Sequence, residues 1–450
     1  MNSSYLQHIF QVFNESGLDY CIQNNYENMP DSFPSDVDIF YRNASEKQLD
    51  RIVKLAAQKA GLSIMQKIAM GYYHFVYWLT PSLPASGFQL ELDFQTELSL
   101  LSMPHYYIPD KLLDRKQAFR NFYIPSPSDE IIYTVLRRTV KNNFEDKHLA
   151  TIQRAYQTHP TAIENALYKE LPPKMAEHIL SLIHSPRKEA FTEHYPHFYQ
   201  YVCRQSSQNN TIRKRFSQGW YNLTRMLPLR MIRPAGMDIA LLSPDGGGKS
   251  TILNALKQYG ITSFSGIERK YVRPGLFQNI GQYKPNAKPE ITDNPDPHGR
   301  QPDGYLKSWI RFLIYLIDFT LGYYLKVIPL KMKRKLVVFD RYYYDYYVDM
   351  YRYHYSLPDW VPHVFSFLIP HPSITFILMA EPSIIYNRKK ELTLEETIRQ
   401  CTAFRDLAPK IKGAVLIDVD RPIDDIVNEI VSLIVHQRVE LTCPKLLYHD

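Results

Sequence analysis

The run Met237-Asp-Ile-Ala-Leu-Leu-Ser-Pro-Asp-Gly-Gly-Gly-Lys-Ser-Thr251 holds the residue types that grip a polyphosphate, in the order the chemistry needs. Gly246, Gly247 and Gly248 let successive backbone N–H groups curl around phosphate oxygens, because no Cβ blocks the approach. Lys249 stands where a helix must begin, so its ammonium reaches the β and γ phosphates while the positive helix end faces the same anion. The Ser250 hydroxyl, with Thr251 beside it, is then placed to ligate Mg²⁺. ATP and Mg²⁺ are the cofactors this pattern implies. Where the usual pattern has its first glycine, this chain has Ser243.

A second chemical element is Lys335-Leu-Val-Val-Phe-Asp-Arg-Tyr342, an apolar strand that ends in Asp340 and Arg341. Residues at that end of a parallel sheet face the ligand. Asp340 is suited to hold Mg²⁺ through water, and Arg341 to neutralise a phosphoryl group in flight. A third is Tyr386-Asn-Arg-Lys-Lys-Glu-Leu-Thr393. Its Arg388, Lys389 and Lys390 read either as a lid over the triphosphate or as a solvated helix face.

The N-terminal half offers Asp36 and Asp38 in Ser35-Asp-Val-Asp-Ile39, and Asp93 in Glu91-Leu-Asp93. Carboxylates at i and i+2 share one face of a strand, and a third from a neighbouring strand completes a cage for two Mg²⁺. Such a cage activates an attacking hydroxyl and steadies a leaving pyrophosphate. Asp-x-Asp is also common on solvated strand edges, so both readings stand. Lys147 reads as a phosphate contact or as an exposed lysine.

These groups need elements to position them. From Met237 onward strands at 237–242, 335–339, 373–379 and 414–419 alternate with helices at 249–258 and 423–436. That rhythm predicts a parallel α/β sheet with helices on both faces. Residues 1–127 mix helical periodicity (Tyr5 to Phe13, Glu46 to Ala60) with short strands (Asp19 to Ile22, Val37 to Tyr41, His74 to Leu79, Phe88 to Phe94), an α+β pattern. Residues 128–203 turn helical. Residues 204–236 are a basic linker in which Arg204, Arg213, Lys214, Arg215, Arg225, Arg230 and Arg233 interleave with Phe216, Trp220, Leu223 and Leu229. It reads as an interdomain helix with solvated arginines, or as a peripheral contact with a membrane surface or polyanion.

The 450-residue length predicts two to three domains. With 45% hydrophobic and 22% charged residues the chain is globular, not disordered. A net charge of +7 suits anionic small molecules and gives no ground to expect nucleic acid. Cys21, Cys203, Cys401 and Cys443 lie too far apart for a metal-ligand pair and read as free thiols. The apolar run Trp309 to Leu330 contains Arg311, Asp318 and Lys326 and is expected to be a buried helix, in a cytoplasmic protein.

Residues 237–436 resemble the thymidylate kinase family of P-loop kinases. The resemblance rests on the Pro244-Asp-Gly-Gly-Gly-Lys-Ser-Thr251 loop, Asp340-Arg-Tyr342, Arg273-Pro-Gly275 and the basic cluster at Arg388. It implies an α/β P-loop NTPase domain over 237–450, in which Asp245 contacts an acceptor hydroxyl and Arg273 and Arg341 hold phosphate. The family has an arginine after the aspartate of its substrate helix, where Leu316-Ile-Asp-Phe319 has Phe319. With the Pro-rich 285–302 stretch, this resembles the thymidylate kinase-like proteins of bacterial surface-polysaccharide synthesis. The implied activity is an ATP- and Mg²⁺-dependent phosphotransferase acting on a sugar or glycan acceptor. A nucleoside monophosphate kinase and an NTP-binding regulatory module without turnover are the alternatives. Residues 1–127 resemble a nucleotidyltransferase-like domain of the polymerase-β type, with Asn24 and Asn25 where its Gly-Ser pair is expected. That resemblance implies either a second, nucleotidyltransferase activity or a non-catalytic, substrate-binding relic of one.

Overall fold

The computed structural model describes residues 3–31, 36–81, 88–100, 102–185, 187–277, 298–299 and 301–446. The chain divides into two compact units, the first built mainly from Met1–Ser82 and Gln89–Pro228, the second from Leu229–Leu441. The division falls inside the basic 204–236 segment.

In the first unit β1 (Asp19–Ile22), β2 (Asp36–Arg42), β3 (Leu62–Ala69), β4 (His74–Pro81) and β5 (Leu90–Gln95) form one mixed sheet in the order β1-β2-β5-β4-β3. Only β2 and β5 are parallel. Apolar residues of the helices Ser3–Glu15 and Glu46–Lys59 are buried in this unit. Ser45 starts the latter helix by accepting from the Gln48 N–H while Gln48 reaches back, a reciprocal cap that satisfies two otherwise orphaned donors. A small hairpin of β6 (Gln117–Phe119) and β7 (Phe122–Ile124) precedes a helical layer. The helix Pro127–Lys141 begins with Ser126 as N-cap and Pro127 in its first turn, and ends at Asn142 in the left-handed region. The helices Asp146–Thr158, Pro160–Glu170, Pro173–His184 and Lys188–Asn209 share its apolar core, in which Ile131, Val135, Ile152, Leu167, Ile179 and Phe198 are buried.

In the second unit β8 (Met237–Leu242), β9 (Ile267–Tyr271), β10 (Leu336–Asp340), β11 (Ile374–Met379) and β12 (Ala414–Asp418) form an all-parallel sheet in the order β12-β11-β8-β10-β9. Strands β8, β10 and β11 are buried at every residue, which is why they read as largely apolar runs; the exception inside β8, Asp238, is buried against Lys331 and the Tyr323 hydroxyl. Strand β9 has no such run. Its Glu268, Arg269 and Lys270 are half-buried on a sheet edge, so the hydrophobic pattern that found the other four strands passes over it.

The long helical stretch Tyr305–Met332 corrects the expectation of a buried helix. Ser308, Phe312, Leu316, Phe319, Tyr323 and Val327 are buried, but Leu306, Ile310, Leu313, Ile317, Leu321 and Tyr324 are exposed along the opposite face. By length and composition this helix is also apolar enough to cross a membrane. Cys21, Cys203 and Cys401 are free thiols. Most of the Pro-rich 285–302 stretch lies outside the described residues.

Candidate functional site: a cationic cavity at the sheet's C-terminal edge

Strand β8 delivers the chain to the glycine loop, and the helix Lys249–Tyr259 leaves from it. Gly246 and Gly248 take φ of 89° and 84°, a region that L side chains enter only with strain. Gly247 is required for space: a Cβ there would overlap the Ser243 hydroxyl. Ser243 is fully buried and forms part of the loop's inner wall. Its Oγ donates to the Pro244 carbonyl at 2.8 Å and accepts from Lys249 Nζ at 2.7 Å. Lys249 also donates to the Ser243 and Pro244 carbonyls at 3.0 and 3.2 Å, so its ammonium lies folded within the loop. Burial, then the Arg341 charge, pull the Lys249 pKa down to about 8.

Strands β8 and β10 are neighbours, so their C-terminal ends bring Asp245 and the Asp340-Arg341 pair together. Arg341 donates to Asp245 Oδ1 at 2.5 Å and to Asp345 Oδ2 at 2.6 Å. Its own backbone is held at φ 71° by an N–H bond to the Leu241 carbonyl. A left-handed arginine costs roughly 1 kcal/mol, a strain that persists only where the surroundings over-determine it. Arg352 pairs with the other oxygen of Asp245. Burial by itself would raise the Asp245 carboxyl; Arg341, Lys249 and Arg352 outweigh it and hold the carboxyl well below the usual carboxylate range. Asp245 is an anion at any physiological pH.

Asp340 is buried, and Arg269 of β9 pairs with its Oδ2. Its Oδ1 is buried without a hydrogen-bond partner among the described residues. A carboxylate oxygen left in that state, in a cavity that Ser250 also lines, fits a divalent cation whose remaining ligands are water and phosphate.

These groups line one cavity of about 580 Å³. Lys249, Arg269, Arg341, Arg352, Arg388, Lys389 and Arg421 face Asp245 and Asp340 across it, and this excess of cations suits a polyphosphate. Gly246, Gly247, Gly248, Ser250 and Thr251 form its floor. Arg388 reaches across to the Val419 carbonyl at 3.1 Å, and Lys389 pairs with Glu391 at 2.9 Å. Lys390, the third basic residue of that cluster, does not line the cavity. Nor does Arg273: it pairs with Asp318 at 2.5 Å and stacks on Tyr315, its guanidinium carbon 3.7 Å from the ring centroid. Asp318 also accepts the Gly275 and Leu276 N–H groups, so it fixes the turn that carries Arg273. Phe319 points away into a cluster of Tyr342, Tyr343 and Tyr346 rings. Sequence reasoning missed Arg269, Arg352 and Arg421. Arg269 sits on the unrecognised edge strand, and Arg352 in the short helical turn Tyr351–Tyr353.

No family model and no curated protein matches the chain. Among solved structures, the thymidylate kinase from Ehrlichia chaffeensis is similar at 19% identity and a TM-score of 0.30, over 44% of this chain and 98% of its own. A likeness of that size is too small to assign an activity.

The first unit holds a smaller site. Asp38 and Asp93 are register partners on the parallel strands β2 and β5. The oxygens of Asp36, Asp38 and Asp93 do not gather as one ligand set among the described residues. Asp38 accepts from both Arg137 terminal nitrogens at 3.1 Å and from Asn24 at 3.2 Å. Asp93 lies 2.7 Å from the His74 ring nitrogen. Asp36 is exposed, yet partial burial and the neighbouring Asp38 raise its pKa. Beside them Asn24, Asn25, Arg137, Arg138, Lys147 and His148 line a cavity of about 210 Å³. There burial, then Arg138 and Lys147, push the His148 pKa down to about 4.

Proposed function

We propose that the second unit is a phosphotransferase that binds a nucleoside triphosphate in the 580 Å³ cavity and passes its terminal phosphoryl group to an acceptor. The observation that carries this is the convergence of Lys249, Arg341 and the orphaned Asp340 oxygen on one glycine loop. The loop's N–H groups and Lys249 take the β and γ phosphates. Mg²⁺, held by Ser250 and Asp340, would neutralise charge on the phosphate oxygens. The acceptor oxygen bonds to the γ phosphorus as the bond from phosphorus to the β–γ bridging oxygen breaks. Arg341 stabilises the charge spread over the transferred group, and ADP keeps the bridging oxygen.

Asp245 is too acidic to be an effective base. Ionised and clamped by two arginines, it orients an acceptor O–H by accepting its hydrogen bond; the loose transition state of phosphoryl transfer needs no strong base, and the acceptor's proton passes to solvent once the new P–O bond has formed. We read the acceptor as a sugar or glycan intermediate of surface-polysaccharide assembly, because Phe319 turns into the tyrosine cluster and leaves Asp318 to hold Arg273.

The 210 Å³ cavity next to Asp38, where Arg137, Arg138 and Lys147 stand with Glu27 and Glu130, favours a second activity in the first unit, binding of a phosphate-bearing substrate for nucleotidyl transfer. Pyrophosphate release that disappears in Asp36→Asn with Asp38→Asn supports that reading; no release with any nucleoside triphosphate contradicts it. For the second unit the test is ADP release across nucleoside monophosphates, sugars and glycan extracts. Rapid release with dTMP would replace the glycan reading by the nucleotide one. Binding of ATP with no acceptor-dependent release would leave a nucleotide sensor.

A further inference from the structure

The helix Ile212–Tyr221, with the π-type turn Asn222–Met226 that continues it, is amphipathic in the wrong sense for a surface element. Its polar face is turned toward the body of the first unit: Lys214 pairs with Glu97 at 2.6 Å, and the Tyr221 hydroxyl donates to Glu46 at 3.4 Å. Its apolar face is turned to water. Ile212 is 86% exposed, Phe216 71%, Trp220 61% and Leu223 64%, at spacings of four, four and three that align them in one stripe. Phe216 and Trp220 stack on each other, their ring centroids 6.3 Å apart, and both stay largely exposed. Water-facing helices ordinarily present the opposite face.

Charge says what covers the stripe. Between Glu193 and Asp238 the chain has no acidic residue, and Arg213 and Arg215 are exposed on the two flanks of the stripe. Two copies of the patch facing each other would oppose arginine to arginine, which disfavours self-association through it. A bilayer with anionic headgroups satisfies both features. The Phe216 and Trp220 rings enter the boundary between headgroups and acyl chains, while the arginines stay at the level of the phosphates.

We propose that this helix docks the protein onto an anionic membrane surface through Ile212, Phe216, Trp220 and Leu223. The docking holds the first unit at the bilayer surface. It is independent of the phosphotransferase reading.

The test is co-sedimentation of the full chain with vesicles of phosphatidylcholine alone or mixed with phosphatidylglycerol. Binding to the mixed vesicles only, weakening as salt rises, is expected. Trp220 fluorescence should shift to the blue, a change that Trp220→Phe removes. The exposed pair Phe216→Glu with Trp220→Glu, which leaves circular dichroism unchanged, should reduce partitioning at least about tenfold. Arg213→Glu with Arg215→Glu should do the same, since each basic residue near an anionic surface is worth roughly fivefold. Equal binding to both vesicle types, unchanged binding by the variants, or no binding at all overturns the proposal. So does a dimer in solution that Phe216→Glu with Trp220→Glu converts to a monomer, which would assign the stripe to a second copy.

Discussion

Arg341 donates to Asp245 at 2.5 Å, tying the end of β10 to the glycine loop that leaves β8. Arg341 is buried and Asp245 partly buried, and Arg352 closes on the far oxygen of the same carboxylate. One anion therefore holds two arginines in place. Removing it leaves the buried Arg341 and the partly buried Arg352 under-compensated.

Asp245→Asn keeps the side-chain shape and deletes that charge. Breaking a buried pair typically costs about 3 kcal/mol or more, so the free protein should lose stability on that order in urea titration. If the positioning role is right, ATP binding changes only a few-fold, while turnover falls about 100-fold. Full turnover in Asp245→Asn would remove Asp245 from the chemistry.

Lys249 acts in the opposite direction. Its pKa of about 8 lies below the 10.5 of a free lysine, so the unfolded chain binds the extra proton between those values. The penalty is fully present at pH 7 and is relieved as pH rises from about 8 toward 10.5. Lys249→Met should stabilise the ligand-free protein at pH 7 by about 2 kcal/mol and abolish that pH slope. ATP affinity of the unsubstituted protein should fall by at most about tenfold per pH unit above that pKa, as the ammonium is lost. Denaturation and binding measured across that pH range check both signs.

Ser243 and Gly247 form a packing pair. Gly247→Ala places a Cβ against the Ser243 hydroxyl, so it should weaken ATP binding by an order of magnitude or more. Ser243→Gly in the same chain removes the obstruction and should restore most of the loss. Failure of the double variant to recover would mean that the loop needs the serine itself.

His148 reports on the smaller cavity. Burial, then Arg138 and Lys147, lower its pKa to about 4, and an anion bound against those cations would offset their share. Added triphosphate should raise that pKa, read by NMR titration of the imidazole. An unmoved His148 would say that the cavity does not take the anion.

The glycine loop, Asp340, Arg341 and four of the five strands of the second sheet were legible in the sequence because each is local. Buried parallel strands are continuous apolar runs, and a phosphate loop needs its glycines in order. Arg352, Arg269 and Arg421 were not, because their roles come from distant segments converging on one cavity. Strand β9 carries three consecutive charged residues, Glu268, Arg269 and Lys270, at a sheet edge and has no hydrophobic signature. Arg273 shows the converse. Its motif was visible, but its partner, Asp318, is set by tertiary packing, and that partner keeps the guanidinium out of the cavity. In the same way Asp36, Asp38 and Asp93 announced a carboxylate cage by spacing, while Arg137, far along the chain, takes Asp38. The helix Tyr305–Met332 was legible as a helix but not as half-exposed, since its apolar residues circle the axis.

The central claim is phosphoryl transfer at the glycine loop. Its most direct measurement is ADP release from ATP and Mg²⁺ by the full chain, with and without candidate acceptors, beside Lys249→Met. The account predicts release that rises with one acceptor class and disappears in the variant, with the γ phosphate recovered on the acceptor. Nucleotide binding without acceptor-dependent release, or release that survives Lys249→Met, would contradict it.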